Sequence, residues 1–456
     1  MTTQEQHFKK MTETKIPRLI IGLGIPTTIS MLITTIYNMA DTFFVGQLGT
    51  SQSGAVGIVF SLMAVLQAFG FMYGQGAGSI IARKLGEGNV EEAKKTGSTA
   101  FMLAIVTGLI ICIIGMLTID NFMRLLGSTE TILPYAREYG RCILLAAPFM
   151  ISSNVLNNIL RYEGKAFYAM IGLCAGGVLN MIGDPILIFG LNMGVRGAGV
   201  STAISQMIGF FILLYMFLAD KTQTKFAFNL ITPTKEMISN ICFTGLPSLI
   251  RQSMQSISGM FLNTIAAGFG GDAAVAAMSI VGRINFFCFA VGLGVGQGCQ
   301  PVTSFNYGAK RYDRVKEAFF FTWKFSQIML SLFVITGLIF SDNLIQIFRD
   351  DIEVIKIGTY ALKAQLFALF FVPFQVSSNM LLQSTGQRKS ASFLSLLRNG
   401  LYFIPILLVL SMILGLRGVQ VAQPISDVFT TLTSIPFIIL FFNKMAESDG
   451  QAENAD

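Results

Sequence analysis

The sequence predicts an all-α integral membrane fold: twelve transmembrane helices in two six-helix bundles, related by a pseudo-two-fold axis along the membrane normal. Three observations carry this reading. Apolar residues make up 53% of the chain and charged residues 12%, about half the charge of a soluble domain, and mean hydropathy is +0.63. Apolar runs long enough to cross a bilayer, about 20 residues each, recur from end to end. A set of short motifs also repeats at an offset near 222 residues.

The elements follow in order. A polar tail, 1–16, precedes runs at roughly 17–45, 53–82, 97–118, 134–160, 167–190 and 195–218. The stretch 219–236, polar and containing Pro233, reads as a cytoplasmic linker. Runs then resume at 237–268, 273–303, 317–340, 356–383, 390–413 and 418–443, and a second tail covers 444–456. This divides the chain into an N-lobe at 17–218 and a C-lobe at 237–443. At such lengths each run must be a helix, because lipid offers no partner for backbone polar groups. The strict alternation of a membrane β-strand is missing.

Charge sets the orientation. An even number of spans puts both termini on one side. The tail brings Lys9, Lys10, Lys15 and Arg18 to that side, and alternate loops add Arg83, Lys84, Lys94, Lys95, Arg161, Lys165, Lys221, Lys225, Lys310, Arg311, Arg388 and Lys389. The opposite loops hold Arg124, Arg196, Arg349, Lys356 and Arg417. The positive-inside rule therefore predicts cytoplasmic termini. The formal charge of +7 belongs to these clusters facing anionic lipid, which argues against a nucleic-acid partner. The six cysteines are scattered singly and support neither a disulfide framework nor a metal site. The sole histidine, His7, lies in the tail, so proton chemistry within the membrane falls to carboxylates. No GxxxxGK[ST] phosphate loop is present, which speaks against an ATP-driven pump. No enzyme activity and no cofactor are expected.

The repeat is parallel. Gly74-Gln75-Gly76 recurs as Gly296-Gln297-Gly298, and Gly46, Gly49 and Gly86 recur as Gly268, Gly271 and Gly308. Pro148-Phe149 with Ser152-Ser153-Asn154 recurs as Pro373-Phe374 with Ser377-Ser378-Asn379, and Gly194-Val195-Arg196-Gly197 as Gly415-Leu416-Arg417-Gly418. Six spans per half make both halves enter the membrane from one side. The Gly-Gln-Gly motifs lie within spans and read as close helix packing rather than nucleotide loops.

Three acids fall within spans, where an ionisable group is expensive and marks a functional site. At a rise of about 1.5 Å per residue, Asp41 lies roughly 35 Å beyond cytoplasmic Arg18, and Asp184 roughly 28 Å beyond Lys165. Two carboxylates in one low-dielectric pocket need a cation or a proton between them. Tyr37 and Asn38 share the helix face of Asp41, and Asn180 that of Asp184. Tyr139 and Thr202 reach a similar depth. These oxygens are the hard donors that a small cation prefers, so Na+ at Asp41, Asn180, Asp184 and Thr202 is one expectation, and H+ the other. Asp427 nears the mid-membrane together with Arg398, and an ion pair with Arg398 or Arg251 is as good a reading as a ligand site. The second half lacks both first-half acids: their counterparts are Leu262 or Asn263, and Ile404. Coupling is expected in the first bundle.

At these residues the chain resembles the multidrug and toxic compound extrusion (MATE) family. The elements are Tyr37-Asn38-Met39-Ala40-Asp41-Thr42, the two Gly-Gln-Gly motifs, Asn180-x-x-x-Asp184-Pro185, Gly197-x-x-x-x-Thr202 and Gln423-Pro424-Ile425-x-Asp427. Within the family it is most similar to the DinF-type group of bacterial multidrug pumps. The resemblance implies antiport of cationic or amphiphilic drugs against H+ or Na+, in a bacterial inner membrane. The N-lobe acid pair of that group falls on Asp41 and Asp184, and its polar positions on Tyr37, Tyr139, Asn180 and Thr202. The other main branch adds second-lobe acids where this chain has Gln255 and Asn379. Asn154 and Asn157, with Asn38, Gln255 and Asn379, are candidates for the drug cavity. A functional monomer in the lipid bilayer is expected. A flippase for lipid-linked saccharides is the alternative, resting on Arg251, Arg283 and Arg398; a receptor or scaffold would need a larger soluble part.

Overall fold

The computed structural model describes residues 3–219, 222–348 and 351–453; Lys221 and Arg349, both used in the charge argument, lie outside them. Among the described residues the regular structure is helical throughout. A short amphipathic helix, α1 (Thr3–Glu13), leads into α2 (Ile16–Gly46), α3 (Thr50–Gly86), α4 (Val90–Leu117), α5 (Ile119–Leu125) and α6 (Leu133–Tyr162). Next come α7 (Ala166–Pro185), α8 (Gly194–Leu218) and α9 (Lys235–Gly308). The remainder is α10 (Tyr312–Ile339), α11 (Ser341–Phe348), α12 (Ile352–Ala368), α13 (Val372–Ser384), α14 (Arg388–Leu396), α15 (Phe403–Leu414) and α16 (Leu416–Glu453).

Among the described residues ten helical stretches, one of them Ala273–Gly308 within α9 and another Arg388–Leu414 through α14 and α15, are long and apolar enough to span a bilayer, and α12 with α13, bent by 53°, makes an eleventh. The twelfth expected span is the first part of α9. That helix breaks at Gly270 and Gly271, where the backbone leaves helical geometry. The segment before the break is fully helical, but Arg251, Gln252 and Gln255 make it less apolar than its neighbours. Large apolar side chains point outward along the spans, as Leu117 (80% exposed) and Met412 (82%) do. Such faces suit acyl chains rather than water.

The chain forms two compact units, one of residues 1–8 and 25–249, the other of 9–24 and 250–456. The first stretch of α2 thus belongs to the second unit, and the first stretch of α9 to the first. Close backbone approach explains both memberships. In the first unit a Cβ on Gly245 would stand 1.8 Å from the Met72 carbonyl oxygen, and one on Gly76 2.2 Å from that of Ile241. In the second, a Cβ on Gly298 would meet Gly24 backbone at 2.6 Å. Gly-Gln-Gly is therefore a helix-packing device in both halves. Gln75 also accepts a hydrogen bond from Ser248 at 2.6 Å.

The repeat is visible in the backbone itself. Positive φ occurs at Gly49 and Gly271, Gly88 and Lys310, Gly164 and Gly386, and Gly194 and Gly415. Asn157 bonds the Ala169 carbonyl at 2.9 Å, and Asn379 that of Ala391 at the same distance. Each amide clips two consecutive helices of its half together.

Within the first unit α6 is the hub, packing on α3, α4 and α8. The stretch between the halves is bound into this unit. The Phe226 ring stacks on Phe101 at 5.1 Å and on Phe217 at 4.4 Å. The buried Glu163 carboxylate accepts from the Gln223 N–H at 2.7 Å, the Thr224 N–H at 2.9 Å and the Thr224 hydroxyl. The Glu163 carbonyl pairs with His7 at 2.8 Å. In the second unit Phe319, Leu381, Leu394 and Phe441 form a core flanked by Phe320, Phe374 and Phe442. Many of the phenylalanines are thus packing residues.

Candidate functional site

Four helices of the first unit converge on one buried polar cluster. Helix α2 supplies Tyr37 and Asp41, four residues apart and so on one face. Asn180 and Asp184 stand in the same relation on α7. Tyr139 enters from α6, and Ser201 and Thr202 from the start of α8. All seven are at most 4% exposed. Small residues let the helices approach: a Cβ on Gly183 would lie 2.6 Å from the Ser201 hydroxyl, and one on Gly199 3.0 Å from the Tyr139 ring. After Asp184, Pro185 supplies no N–H to the helix ladder. The chain then widens into a π turn over Ile186–Gly190, a feature often found beside functional groups.

The hydrogen bonds are directional. The Tyr139 hydroxyl donates to Asp41 Oδ2 at 2.9 Å and lies 3.3 Å from the Thr202 hydroxyl. Asn180 Nδ2 donates to Asp184 Oδ1 at 3.1 Å, to Thr202 Oγ1 at 3.0 Å and, longer, to Ser201 Oγ at 3.4 Å. The carboxyl groups of Asp41 and Asp184 are within interaction range of each other. Every donor is engaged, yet three acceptors are left over: Asp41 Oδ1, Asp184 Oδ2 and Asn180 Oδ1 are buried without a hydrogen-bond partner.

Orphaned buried acceptors are costly and call for an explanation. Two carboxylates and an amide carbonyl, with hydroxyls beside them, form an all-oxygen set of the kind that holds a hard monovalent cation or a shared proton. Among the described residues no cluster of three His, Cys, Asp or Glu side chains is positioned to hold a metal, so the donors do not suit a soft transition metal.

The structure thus brings together Tyr37, Asp41, Tyr139, Asn180, Asp184 and Thr202. Sequence reasoning missed Ser201, next to Thr202, and Gln206, whose side chain bonds Tyr37. Gln206 stands one turn beyond Thr202, and that spacing was the available signal.

The other candidates are elsewhere. Asn38 is half-buried on α2. Asn154 bonds its own helix at the Met150 carbonyl, 3.0 Å away, and Asn157 makes the interhelical clip. In the second unit Gln255 and Asn379 line a cavity of about 530 Å³ with Arg251 and Arg398. Arg398 pairs with Asp427 at 2.7 Å and 3.5 Å, its guanidinium lying 4.3 Å from the Phe289 ring centroid. Arg251 bonds Asn379 at 3.3 Å, and Arg283 is exposed. Of the three arginines on which a phosphate-carrying flippase would depend, Arg251 and Arg398 thus line one cavity and Arg283 is not among its lining residues.

The comparisons with known proteins agree with this architecture. The MatE family model matches residues 26–186 and again 247–409, once in each half. The multidrug export protein MepA of Staphylococcus saprophyticus is 27% identical over 93% of this chain and 94% of its own. That of Staphylococcus haemolyticus is 29% identical over 89% and 90%. A MATE protein crystallised in complex with MaL6 matches with a TM-score of 0.92 at 26% identity, over 98% of this chain and 100% of the other. An outward-facing multidrug resistance MATE family transporter of the MOP superfamily matches equally, with a TM-score of 0.92 at 26% identity over 98% and 99%.

Proposed function

The chain belongs to the MatE family, and on that premise we propose that it is a secondary active multidrug exporter driven by entry of H+ or Na+ at Asp41 and Asp184. Its relatives named as multidrug export proteins span nearly its full length, and cationic or amphiphilic drugs are the substrate class assigned here. The observation that carries the mechanism is the trio of orphaned acceptors, Asp41 Oδ1, Asp184 Oδ2 and Asn180 Oδ1, buried in one cluster. A single H+ or Na+ entering there offsets one of the two carboxylate charges and so relieves their repulsion in a medium of low dielectric. Its binding energy is available to favour one conformation over another only in so far as the two states bind it differently.

The proposed cycle is alternating access. Drug loads from the cytoplasm, and the ion enters from the opposite side and favours the drug-releasing state. The halves are proposed to act as a 17–218 lobe and a 237–443 lobe about the 219–236 linker, in a monomer with cytoplasmic termini in a bacterial inner membrane. The test is efflux of a fluorescent organic cation from proteoliposomes, with pH and sodium gradients imposed separately. Wild type is expected to respond to at least one gradient, and Asp41→Asn to lose that response. Full gradient-driven efflux by Asp41→Asn would overturn the assignment.

A further inference from the structure

The second unit has a cavity whose chemistry is opposite to that of the acid cluster. Its lining includes two guanidinium groups, Arg251 and Arg398, and no carboxylate. Asp427 stands behind the wall, buried to 2% exposure and paired with Arg398. Counting that acid, the site carries one net positive charge. Leu293, Val376, Met380 and Leu394 contribute apolar walls. The space it encloses, counted together with its opening to solvent, is about 530 Å³.

Two features support reading the cavity as a ligand site. Arg398 is held from two sides, by Asp427 at its edge and by the Phe289 ring over its face, and it lies within a π turn, Leu397–Leu401. Gln375 is 4% exposed. Its Nε2 donates to Asp427 Oδ1 at 3.3 Å, which fixes the amide orientation and leaves Oε1 as a buried acceptor without a partner. Gln375 is one of the residues lining the cavity, and its orphaned oxygen requires a donor.

We propose that this cavity binds amphiphiles bearing a single carboxylate and a separate hydrogen-bond donor, the carboxylate toward Arg251 and the donor toward Gln375 Oε1. One net positive charge matches a monocarboxylate and falls short of a di- or triphosphate. Guanidinium groups suit the planar carboxylate, and the apolar walls suit an aromatic or acyl body. The site is distinct from the acid cluster of the first unit, and the proposal stands whether or not that cluster couples transport to an ion.

The test is equilibrium binding of 6-hydroxy-2-naphthoate, followed by its fluorescence, to the full chain in phosphatidylcholine nanodiscs without any gradient. The neutral 6-hydroxy-2-naphthamide is the comparison. The acid is expected to bind at least about tenfold tighter than the amide, as a charge-assisted contact requires. Arg251→Gln is expected to remove that preference, and Gln255→Trp, at an exposed position on the rim, to block both compounds. Oleate serves as the lipid arm: competition identifies an acyl carboxylate as a ligand, and its failure restricts the site to compact aromatic acids. Equal affinity of wild type for acid and amide would overturn the proposal, as would an unchanged preference in Arg251→Gln. Asp41→Asn tests the first unit alone and is expected to bind the naphthoate as wild type does.

Discussion

Replacing Asn180 by leucine isolates what its amide does at the acid cluster. Leucine keeps the branched outline of the side chain, with somewhat bulkier methyl groups, while the polar groups go. Wild-type Nδ2 donates to Asp184 Oδ1 at 3.1 Å and to Thr202 Oγ1 at 3.0 Å. Its Oδ1 is one of the three acceptors left for a ligand. A hydrogen bond to a charged group is worth about 1.5–3 kcal/mol, and each 1.4 kcal/mol is about tenfold in affinity. Loss of the contact that orients Asp184, together with one donor oxygen, therefore weakens ion binding roughly ten- to hundredfold. The assay is initial efflux from proteoliposomes as the concentration of the driving ion is varied, at saturating drug. Asn180→Leu is expected to raise the half-saturating ion concentration by that factor and to leave the drug KM within about twofold, since the proposal assigns the residue to the ion and not to the drug. An unchanged ion requirement, or a shift confined to the drug KM, would refute the reasoning.

Two further predictions concern buried charge away from this cluster. Burial, the larger influence, pushes the Glu163 carboxyl above its ordinary value against the opposing pull of the Thr224 and Gln223 donors. The folded chain then holds that proton more tightly than the unfolded one, so the stability it confers is full below about 4.5 and declines as pH rises through the raised value. Thermal unfolding of detergent-solubilised protein across that range should show wild type losing stability with rising pH and Glu163→Gln losing less; parallel curves would contradict the assignment. Arg398 and Asp427 form a pair only 16% and 2% exposed, and removing one partner of such a pair costs about 3–5 kcal/mol. Arg398→Gln and Asp427→Asn are each expected to lower the unfolding midpoint strongly and the double variant to recover more than half of the loss, whereas simple additivity would show the charges to be independent.

Much of this architecture was legible in the sequence because the bilayer leaves few choices. Apolar runs of sufficient length must be helices, and the described helices follow the expected runs closely. The segment before Gly270 was read as the apolar run 237–268, although Arg251, Gln252 and Gln255 dilute its hydropathy. The acid cluster was legible for a related reason: a carboxylate amid apolar neighbours is conspicuous, and spacings of four placed Tyr37 with Asp41 and Asn180 with Asp184. The swap of helix beginnings between the compact units had no such signature. It depends on Gly76 facing Ile241 and Gly245 facing Met72, a pairing across well over a hundred residues. The roles of Asn157 and Asn379 were equally hidden, because an amide in a span reads the same whether it faces a ligand or clips a helix hairpin.

The comparison of the halves separates the residues that build the fold from those that do its chemistry. Positions governed by geometry recur: positive φ at Gly164 and Gly386, and the amide clips of Asn157 and Asn379, appear in both units. A duplicated framework needs these wherever it is used, since each satisfies a turn or a buried carbonyl of the same local structure. Buried charge does not recur. The first unit has two carboxylates with orphaned oxygens and no buried cation in the cluster; the second has a carboxylate matched to a guanidinium. Each carries its charge beside a π turn, Ile186–Gly190 in one and Leu397–Leu401 in the other, so the same kind of helix irregularity accompanies unlike chemistry. An unmatched acid pair responds to the arrival of a cation, while a neutralised pair is indifferent to it. On electrostatic grounds the first unit is therefore the one we propose for energy coupling, and the positive wall of the second suits a different ligand.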